Sequence, residues 1–170
     1  MVSAKTLEFN NQPQNITGFT RHVLHELSAM LLQYHHNSDL LFKVKIIVTE
    51  LLNNAVKHSG TQQTELQLHL HSSELIIIKS DAGKPFDLNS QLQKCNTQVM
   101  LSSDAMHLLY AVKENDTRIR FYCEENLADT VDVSLLTEHL GLLIITKAAD
   151  EFIYEYQEND NLFSAKIKLG

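Results

Sequence analysis

The chain has 170 residues, of which 44% are apolar and 21% are charged, and its formal net charge is −7 at pH 7. These values are typical of one globular domain with its own hydrophobic core, and they exclude an intrinsically disordered chain. The acidic balance argues against binding to nucleic acid, which needs a basic surface to replace the phosphate counterions. Because the sequence has no apolar leader, no spanning segment and no basic amphipathic run, it predicts a cytoplasmic protein without a membrane partner.

The two cysteines, Cys95 and Cys123, do not have the spacing of a metal site or a redox motif. Reduced thiols are therefore expected, as in most cytoplasmic proteins. The adjacent pair His35 and His36 would point in different directions on a helix, so no metal site is predicted there either.

The first half of the sequence alternates between helical and strand periodicities. Apolar residues three or four positions apart predict two amphipathic helices, and alternation of apolar and polar residues predicts strands. Polar cap residues begin the helices, and a glycine ends the second one. In chain order the predicted elements are a strand at Thr6–Phe9, a helix from Asn15 or Thr17 to about Tyr34, a helix from Ser38 or Asp39 to about His58 that ends at Gly60, and hairpin strands at Glu65–His71 and Leu75–Ile78.

The second half begins with a Gly and Pro break at Asp81–Pro85, which predicts a loop. The segment from 88 to 137 is long, contains no glycine and has the character of an insertion. The remaining predicted elements are a helix at Ser103–Lys113, a strand at Arg118–Cys123, a helix at Leu140–Ala149, and hairpin strands at Phe152–Tyr156 and Leu162–Leu169 around the turn Glu158–Asn161. This order predicts a single α/β domain over residues 1–170, a two-layer sandwich of a mostly antiparallel mixed sheet with helices on one face.

The predicted helix at Asp39–His58 carries a polar stripe beside its apolar one. Glu50, Asn54 and His58 are spaced four apart and project in one direction. A carboxylate can accept a proton from a hydroxyl group or water that attacks a phosphate, and an amide oxygen is a suitable ligand for Mg²⁺. The spacing alone predicts no more than a polar helix face. The apolar stripe consists of Leu41, Val44, Val48, Leu51, Leu52 and Ala55.

Three segments in the right order change this interpretation. Thr49–His58 resembles the N-box of the GHKL ATPases (gyrase, heat-shock chaperone, histidine kinase and mismatch-repair types), and most closely the E-x-x-x-N-A-x-x-H pattern of the anti-sigma-factor serine/threonine kinases. Asp81–Phe86 follows an apolar strand and resembles the D-x-G-x-P-F form of the second box. Leu140–Ile145 resembles the L-G-L-x-L-I core of the third box, and Asp150 stands where the family often has an acidic residue. The three boxes cover most of the chain.

The resemblance implies the Bergerat, or histidine-kinase-like ATPase, fold with ATP and Mg²⁺ as ligands. It implies that Asn54 binds Mg²⁺, that Glu50 acts as the base or positions a water, and that His58 belongs to the same site. Gly141 and Leu142 would lie at the N-terminus of a helix, where free N–H groups favour phosphate.

At the other end of the nucleotide, the resemblance implies that Asp81 receives the adenine amino group. Gly83 would let the backbone approach the base. Ser164, on the last strand, would supply a hydroxyl group near adenine. Taken alone, the segment from Asp81 to Gly83 predicts only a turn.

The activity that the resemblance implies is transfer of the ATP γ-phosphate to a serine or threonine of a partner protein, such as a sigma factor or an anti-anti-sigma-like protein, by a chain that can form homodimers. Whether the chain is an enzyme is left open, because His139 replaces a family glycine and Glu138 brings negative charge near the phosphates. The segment 88–137 would also be an unusually long lid. The alternatives are a degenerate, non-catalytic module that acts through protein contacts, and a detached catalytic domain that serves a separate phospho-acceptor.

Two other motifs favour structural interpretations. His25 and the three residues after it resemble a histidine-kinase phospho-acceptor box, but the next helix already carries the first ATPase box, so His25 is interpreted as an ordinary helix residue. Arg118 and Arg120 alternate with apolar residues, which favours a strand with one solvent-exposed face over a phosphate clamp.

Overall fold

The computed structural model describes residues 3–31, 38–86, 97–127 and 139–169. Its helices and strands, in chain order, are β1 (Ser3–Asn10), α1 (Ile16–Met30), α2 (Ser38–Asn54), β2 (Gln63–Leu70), β3 (Glu74–Asp81), β4 (Gln98–Ser103), β5 (His107–Lys113), β6 (Arg118–Glu125), α3 (Leu140–Ala148), β7 (Glu151–Gln157) and β8 (Asp160–Lys168). A short 3-10 turn at Pro13–Asn15 precedes α1, and a π-helical turn at Ala55–Ser59 extends α2.

The strands form one eight-stranded sheet in the order β1-β2-β3-β8-β7-β6-β5-β4. Apolar side chains of all three helices and of one face of the sheet form a single core cluster. The predicted two-layer α/β sandwich with helices on one face is therefore confirmed. Each pairing between the described strands is antiparallel, so the parallel pairs of a mixed sheet do not occur among them.

The two N-terminal helices lie close to their predicted positions. Asn15 precedes α1, but its side chain makes no capping hydrogen bond and donates to the Asn10 carbonyl oxygen instead. The end of the second helix is as predicted, because Gly60 adopts the left-handed conformation with a φ of 67°. The residues between Leu31 and Ser38, where α1 was expected to end, lie outside the described part of the chain.

The prediction of a helix at Ser103–Lys113 is wrong. Residues 107–113 form β5, which pairs with β4 on one side and β6 on the other, so two neighbouring strands satisfy its backbone groups. A turn precedes β5, in which Asp104 Oδ1 accepts hydrogen bonds from the backbone N–H groups of Met106 (2.7 Å) and His107 (2.6 Å). The part of segment 88–137 that is described, residues 97–127, thus extends the sheet beyond β7.

The predicted C-terminal hairpin is confirmed, and its second strand, β8, lies in the middle of the sheet. The turn between β7 and β8 places Glu158 and Asn159 at φ values of 52° and 72°. Strand β8 lies between β7 and β3, and its register sets Asn161 opposite Asp81. The end of β3 and the start of β8 are therefore neighbours, although they are far apart in the sequence.

Within the described ranges, no helix has both the length and the apolar content that crossing a membrane requires. Cys123 is a free thiol on β6, and burial raises its pKa to about 11, so it stays protonated at neutral pH. Cys95 falls in the part of the chain that is not described.

Candidate functional site

The polar stripe of α2 is only partly as predicted. Glu50 and Asn54 are half-buried, whereas His58 is exposed. The difference has a backbone cause, because α2 is α-helical only to Asn54 and His58 lies in the following π-helical turn. A π turn closes i to i+5 hydrogen bonds, so a spacing of four no longer returns to the same face.

Glu50 and Asn54 both face the start of α3. A methyl group placed on Gly141 would lie 2.9 Å from Glu50 Oε2 and 3.4 Å from Asn54 Oδ1. The absent side chain of Gly141 therefore allows these two polar groups to approach the first turn of α3, where backbone N–H groups lack helical partners. Leu142 is buried in the core, so it can offer this site its backbone but not its side chain.

His139 is accommodated in place of a glycine by an unusual backbone conformation. It precedes α3 with a φ of 60°, in the left-handed region, and its carbonyl oxygen accepts a hydrogen bond from the Leu143 N–H at 3.1 Å. Histidine is among the non-glycine residues that occur there most often. The imidazole ring contacts Phe86 edge-on, with ring centroids 6.2 Å apart. Glu138 lies outside the described residues.

Asp81 ends β3 as a buried carboxylate with several partners. Its Oδ1 accepts hydrogen bonds from the Gly83 N–H at 2.9 Å and from Asn161 Nδ2 at 3.2 Å. Its Oδ2 is in ion-pair contact with Lys79 Nζ, and only 3% of Lys79 and 6% of Asp81 is exposed. Burial lowers the pKa of Lys79, while the Asp81 charge and hydrogen bond oppose that shift. Sequence reasoning missed Lys79, although a lysine inside an apolar strand is a visible signal.

Asn161 is a second residue of this site that the sequence did not reveal. Besides Asp81, it donates to the Gly83 carbonyl oxygen at 3.0 Å and accepts from the Tyr154 hydroxyl group at 2.8 Å. Tyr154 in turn accepts a hydrogen bond from the Phe86 N–H at 2.9 Å. Asn161 thus fixes the loop after β3 to the C-terminal hairpin. The sequence predicts a turn at 158–161, and only the register of β8 reveals the role of Asn161.

Ser164 does not belong to this cluster. Successive residues of a strand point to opposite faces of the sheet, and Ala165 and Ile167 of β8 point into the core. Asn161 shares that face, whereas Ser164 lies on the face away from the helices. The structure therefore does not bring the Ser164 hydroxyl group to Asp81.

Gly83 allows a close approach between the loop after β3 and the end of the second helix. A Cβ atom there would lie 2.6 Å from Asp81 Oδ1 and well inside 3.0 Å of the Ser59 carbonyl oxygen. Its φ is not in the left-handed region, so this requirement for glycine is steric.

We expect Gly83→Ala to lower the free energy of unfolding by about 1–3 kcal/mol, because backbone atoms must move to admit the methyl group. Gly18→Ala is the matched control, since nothing lies within 4 Å of that position on the exposed surface of α1. The control is expected to raise stability by about 0.5–1 kcal/mol through helix propensity. Urea unfolding of both variants measures the difference, and equal stabilities would contradict the steric role of Gly83.

The three sequence boxes meet in space through these contacts. Gly141 lies against Glu50 and Asn54, Gly83 lies against the residue that ends the π turn, and Phe86 contacts His139. The loop after β3 therefore runs beside both α2 and the start of α3. One end of the site offers a carboxylate and an amide beside a helix N-terminus, and the other offers the buried Asp81 group.

These residues fit a nucleotide with Mg²⁺. The oxygens of Asn54 and Glu50 are the kind of donor that Mg²⁺ prefers while it keeps several waters, and Gly141 leaves room beside them. Within the described ranges, no group of three or more His, Cys, Asp or Glu residues is arranged to hold a metal by protein ligands alone. A magnesium ion held by Asn54 would complete its coordination with phosphate and water oxygens, as Mg²⁺ commonly does.

Arg118 and Arg120 lie on the opposite face of the sheet. Arg118 is bonded to Glu114 and Glu155, and Arg120 to Glu114, with N···O distances of 2.8–2.9 Å. Both guanidinium groups are thus satisfied by carboxylates, which supports the interpretation of a solvent-exposed strand face rather than a phosphate clamp. His25 is exposed on α1, as expected for an ordinary helix residue.

Comparison with known proteins identifies a family for this chain. No curated protein matches the chain. The family model described as the histidine kinase-like ATPase domain matches residues 15–165, a range that contains all three boxes. The match indicates ATP binding, which is consistent with the arrangement of Glu50, Asn54 and Gly141. By its sequence match and its fold, the chain belongs to the histidine kinase-like ATPase domain family.

Proposed function

We propose that the chain binds ATP with Mg²⁺ and transfers the γ-phosphate to a serine or threonine hydroxyl group of a regulatory partner protein. The observation that carries this proposal is the approach of Glu50 and Asn54 to Gly141 at the start of α3. In this arrangement the first-turn N–H groups of α3 bind phosphate oxygens. A sigma factor or an anti-anti-sigma-like protein as partner, and a homodimer, belong to the same proposal.

Each residue has a distinct part in the proposed reaction. Asn54 Oδ1 ligates Mg²⁺, which, when bound, neutralises charge on the phosphate oxygens. Glu50 accepts the proton of the attacking serine or threonine hydroxyl group. The oxygen of that hydroxyl group forms a bond to the γ-phosphorus at the same time. The bond from the γ-phosphorus to the bridging oxygen breaks, and ADP leaves with that electron pair. Asp81 accepts a hydrogen bond from the adenine base, which fixes the distance between adenine and the reacting phosphate.

The first test measures nucleotide binding by calorimetry, with ADP in Mg²⁺ and in EDTA. We expect the native protein to bind in the micromolar range and to bind more tightly with Mg²⁺. Asn54→Ala is expected to lose most of the gain from Mg²⁺, at least about tenfold, because the amide ligand is removed. Asn53→Ala is the matched control, since its side chain leaves the same helix in a different direction.

Two results would contradict the proposal. If neither heat nor a thermal shift accompanies MgADP or MgATP, ATP binding itself is wrong. If Asn54→Ala and Asn53→Ala bind MgADP equally well, Asn54 is not a metal ligand.

A second candidate is the non-catalytic binding module, and one observation favours it. The Asp81 carboxylate already interacts with Lys79, Gly83 and Asn161. An adenine base must therefore share the carboxylate with these groups. Labelled ATP added to a cell extract separates the two functions. Acid-stable label on serine or threonine supports the kinase, acid-labile label supports a detached histidine-kinase domain, and nucleotide binding without transfer supports the module.

A further inference from the structure

Strand β3 carries a charged residue where its pattern predicts an apolar one. Leu75 and Ile77 point into the core, and the next residues on the same face are Lys79 and Asp81. Lys79 is only 3% exposed, so its ammonium group lies inside the protein rather than reaching solvent. A buried lysine is rare unless it is paired, and here the pair is Asp81.

The ammonium group lies beside Asp81, the residue to which the proposed function assigns the adenine base. Lys79 Nζ contacts Asp81 Oδ2 and lies 4.9 Å from the centroid of the Phe163 ring. The other oxygen of Asp81 already accepts bonds from Gly83 and Asn161. A base that approaches Asp81 therefore meets a carboxylate acceptor and an ammonium donor side by side.

A buried ion pair is weak evidence for a stabilising role, because replacing such a pair with apolar residues of similar size is often neutral or stabilising. The pair lies at the carboxylate that the proposed function assigns to the base. A role in ligand recognition explains both its place and its burial.

We propose that Lys79 is a specificity-determining residue that lets the site accept purines with a 6-oxo group as well as a 6-amino group. A carboxylate alone accepts a hydrogen bond from a 6-amino group and repels a 6-oxo oxygen. With Lys79 beside it, the ammonium group donates to the 6-oxo oxygen while Asp81 accepts from the N1–H of the same base. The inference rests on the proposed function, in which Asp81 binds the base.

The test compares ADP with inosine diphosphate, which differ only at position 6 and in the proton on N1. The ligands bind to the native protein in Mg²⁺, and calorimetry gives both dissociation constants. We expect the native constants to agree within about tenfold, since each base finds a donor and an acceptor. Lys79→Met is expected to raise the ratio of the inosine to the adenosine constant by about tenfold or more, because a hydrogen bond from a charged donor is lost.

The control is Lys166→Met, which removes the same charge from the other face of the sheet, where Lys166 pairs with Glu151 at 2.8 Å. Its ratio of constants should equal the native one. The comparison of the two ligands on the native protein needs no substitution, so it stands even if Lys79→Met fails to fold.

The outcomes separate the two proposals. Preference of the native protein for ADP by more than about a hundredfold overturns the role of Lys79 and leaves ATP binding intact. Tighter binding of both ligands to Lys79→Met at an unchanged ratio also overturns it, because Lys79 would then only compete for Asp81. Absence of binding by either ligand overturns the proposed function, and this inference with it.

Discussion

Asp81→Asn is expected to lower the free energy of unfolding by about 3–5 kcal/mol, because it leaves the Lys79 charge buried without a counter-ion. The side chains of Lys79 and Asp81 are only 4% and 2% exposed, so the ammonium group left by the substitution would be poorly solvated. Urea unfolding at neutral pH measures the change. Glu151→Gln is the matched control, since it breaks the half-exposed pair with Lys166, for which about 0–1 kcal/mol is expected.

A double-mutant cycle isolates the charge as the cause. Combining Lys79→Met with Asp81→Asn removes the unpaired ammonium group and should recover most of the lost stability. A double variant as unstable as Asp81→Asn would show that the lost bonds to Gly83 and Asn161, rather than Lys79, are responsible.

The pH dependence of Asp81→Asn gives an independent check. Burial lowers the pKa of Lys79, and the Asp81 charge and hydrogen bond raise it. Removing Asp81 therefore lowers the pKa of Lys79 further. Between that folded-state pKa and the ordinary value of 10.5, the unfolded chain binds more protons than the folded one, and stability rises with pH. The deficit of the variant relative to the native protein should therefore shrink toward alkaline pH, whereas a deficit that stays constant would contradict a charged Lys79.

Glu50→Gln is expected to reduce phosphoryl transfer by at least about a hundredfold, because a glutamine cannot accept the proton of the attacking hydroxyl group. Its shape is retained beside Gly141, so MgADP affinity should stay within about threefold. The assay follows acid-stable label from ATP on serine or threonine of extract proteins. Glu65→Gln on the outer face of β2 is the matched control and should transfer at the native rate.

Two results would contradict the role of Glu50 in proton transfer. If Glu50→Gln transfers label as fast as Glu65→Gln, Glu50 is not the base. If it loses MgADP affinity to the same extent as transfer, Glu50 acts in binding, and the proposed division of roles between Glu50 and Asn54 is wrong.

Local patterns were sufficient for most of the fold. The end of the second helix at Gly60, the hairpin of β2 and β3, and the hairpin of β7 and β8 each follow from residues adjacent in the sequence. The helix predicted at 103–113 failed because Leu108, Leu109 and Val112 also satisfy a helical spacing. In the structure this segment is a strand because it pairs with β4 and β6. That pairing cannot be inferred from the sequence of one segment.

The candidate site likewise contains residues that the sequence predicts and residues that only the structure reveals. Glu50, Asn54 and Gly141 were assigned from the resemblance, and the structure brings them together. Asn161 and Lys79 were missed because their roles depend on the register between β3 and β8. The alternation of side chains along β8 places Ser164 on the face of the sheet away from Asp81. His58 left the site because the helix changes to a π turn, which periodicity at 3.6 residues per turn does not foresee.

The central place of β8 has a consequence for how the protein is made. Asp81 and Asn161 are bonded across 80 residues of sequence, so the nascent chain carries β1 to β3 for a long interval before β8 can join them. Contacts of such large sequence separation slow folding, because a long loop must close first. During that interval the open edge of β3 is available to other strands. We therefore expect the candidate nucleotide site and the middle of the sheet to be completed together, late in folding.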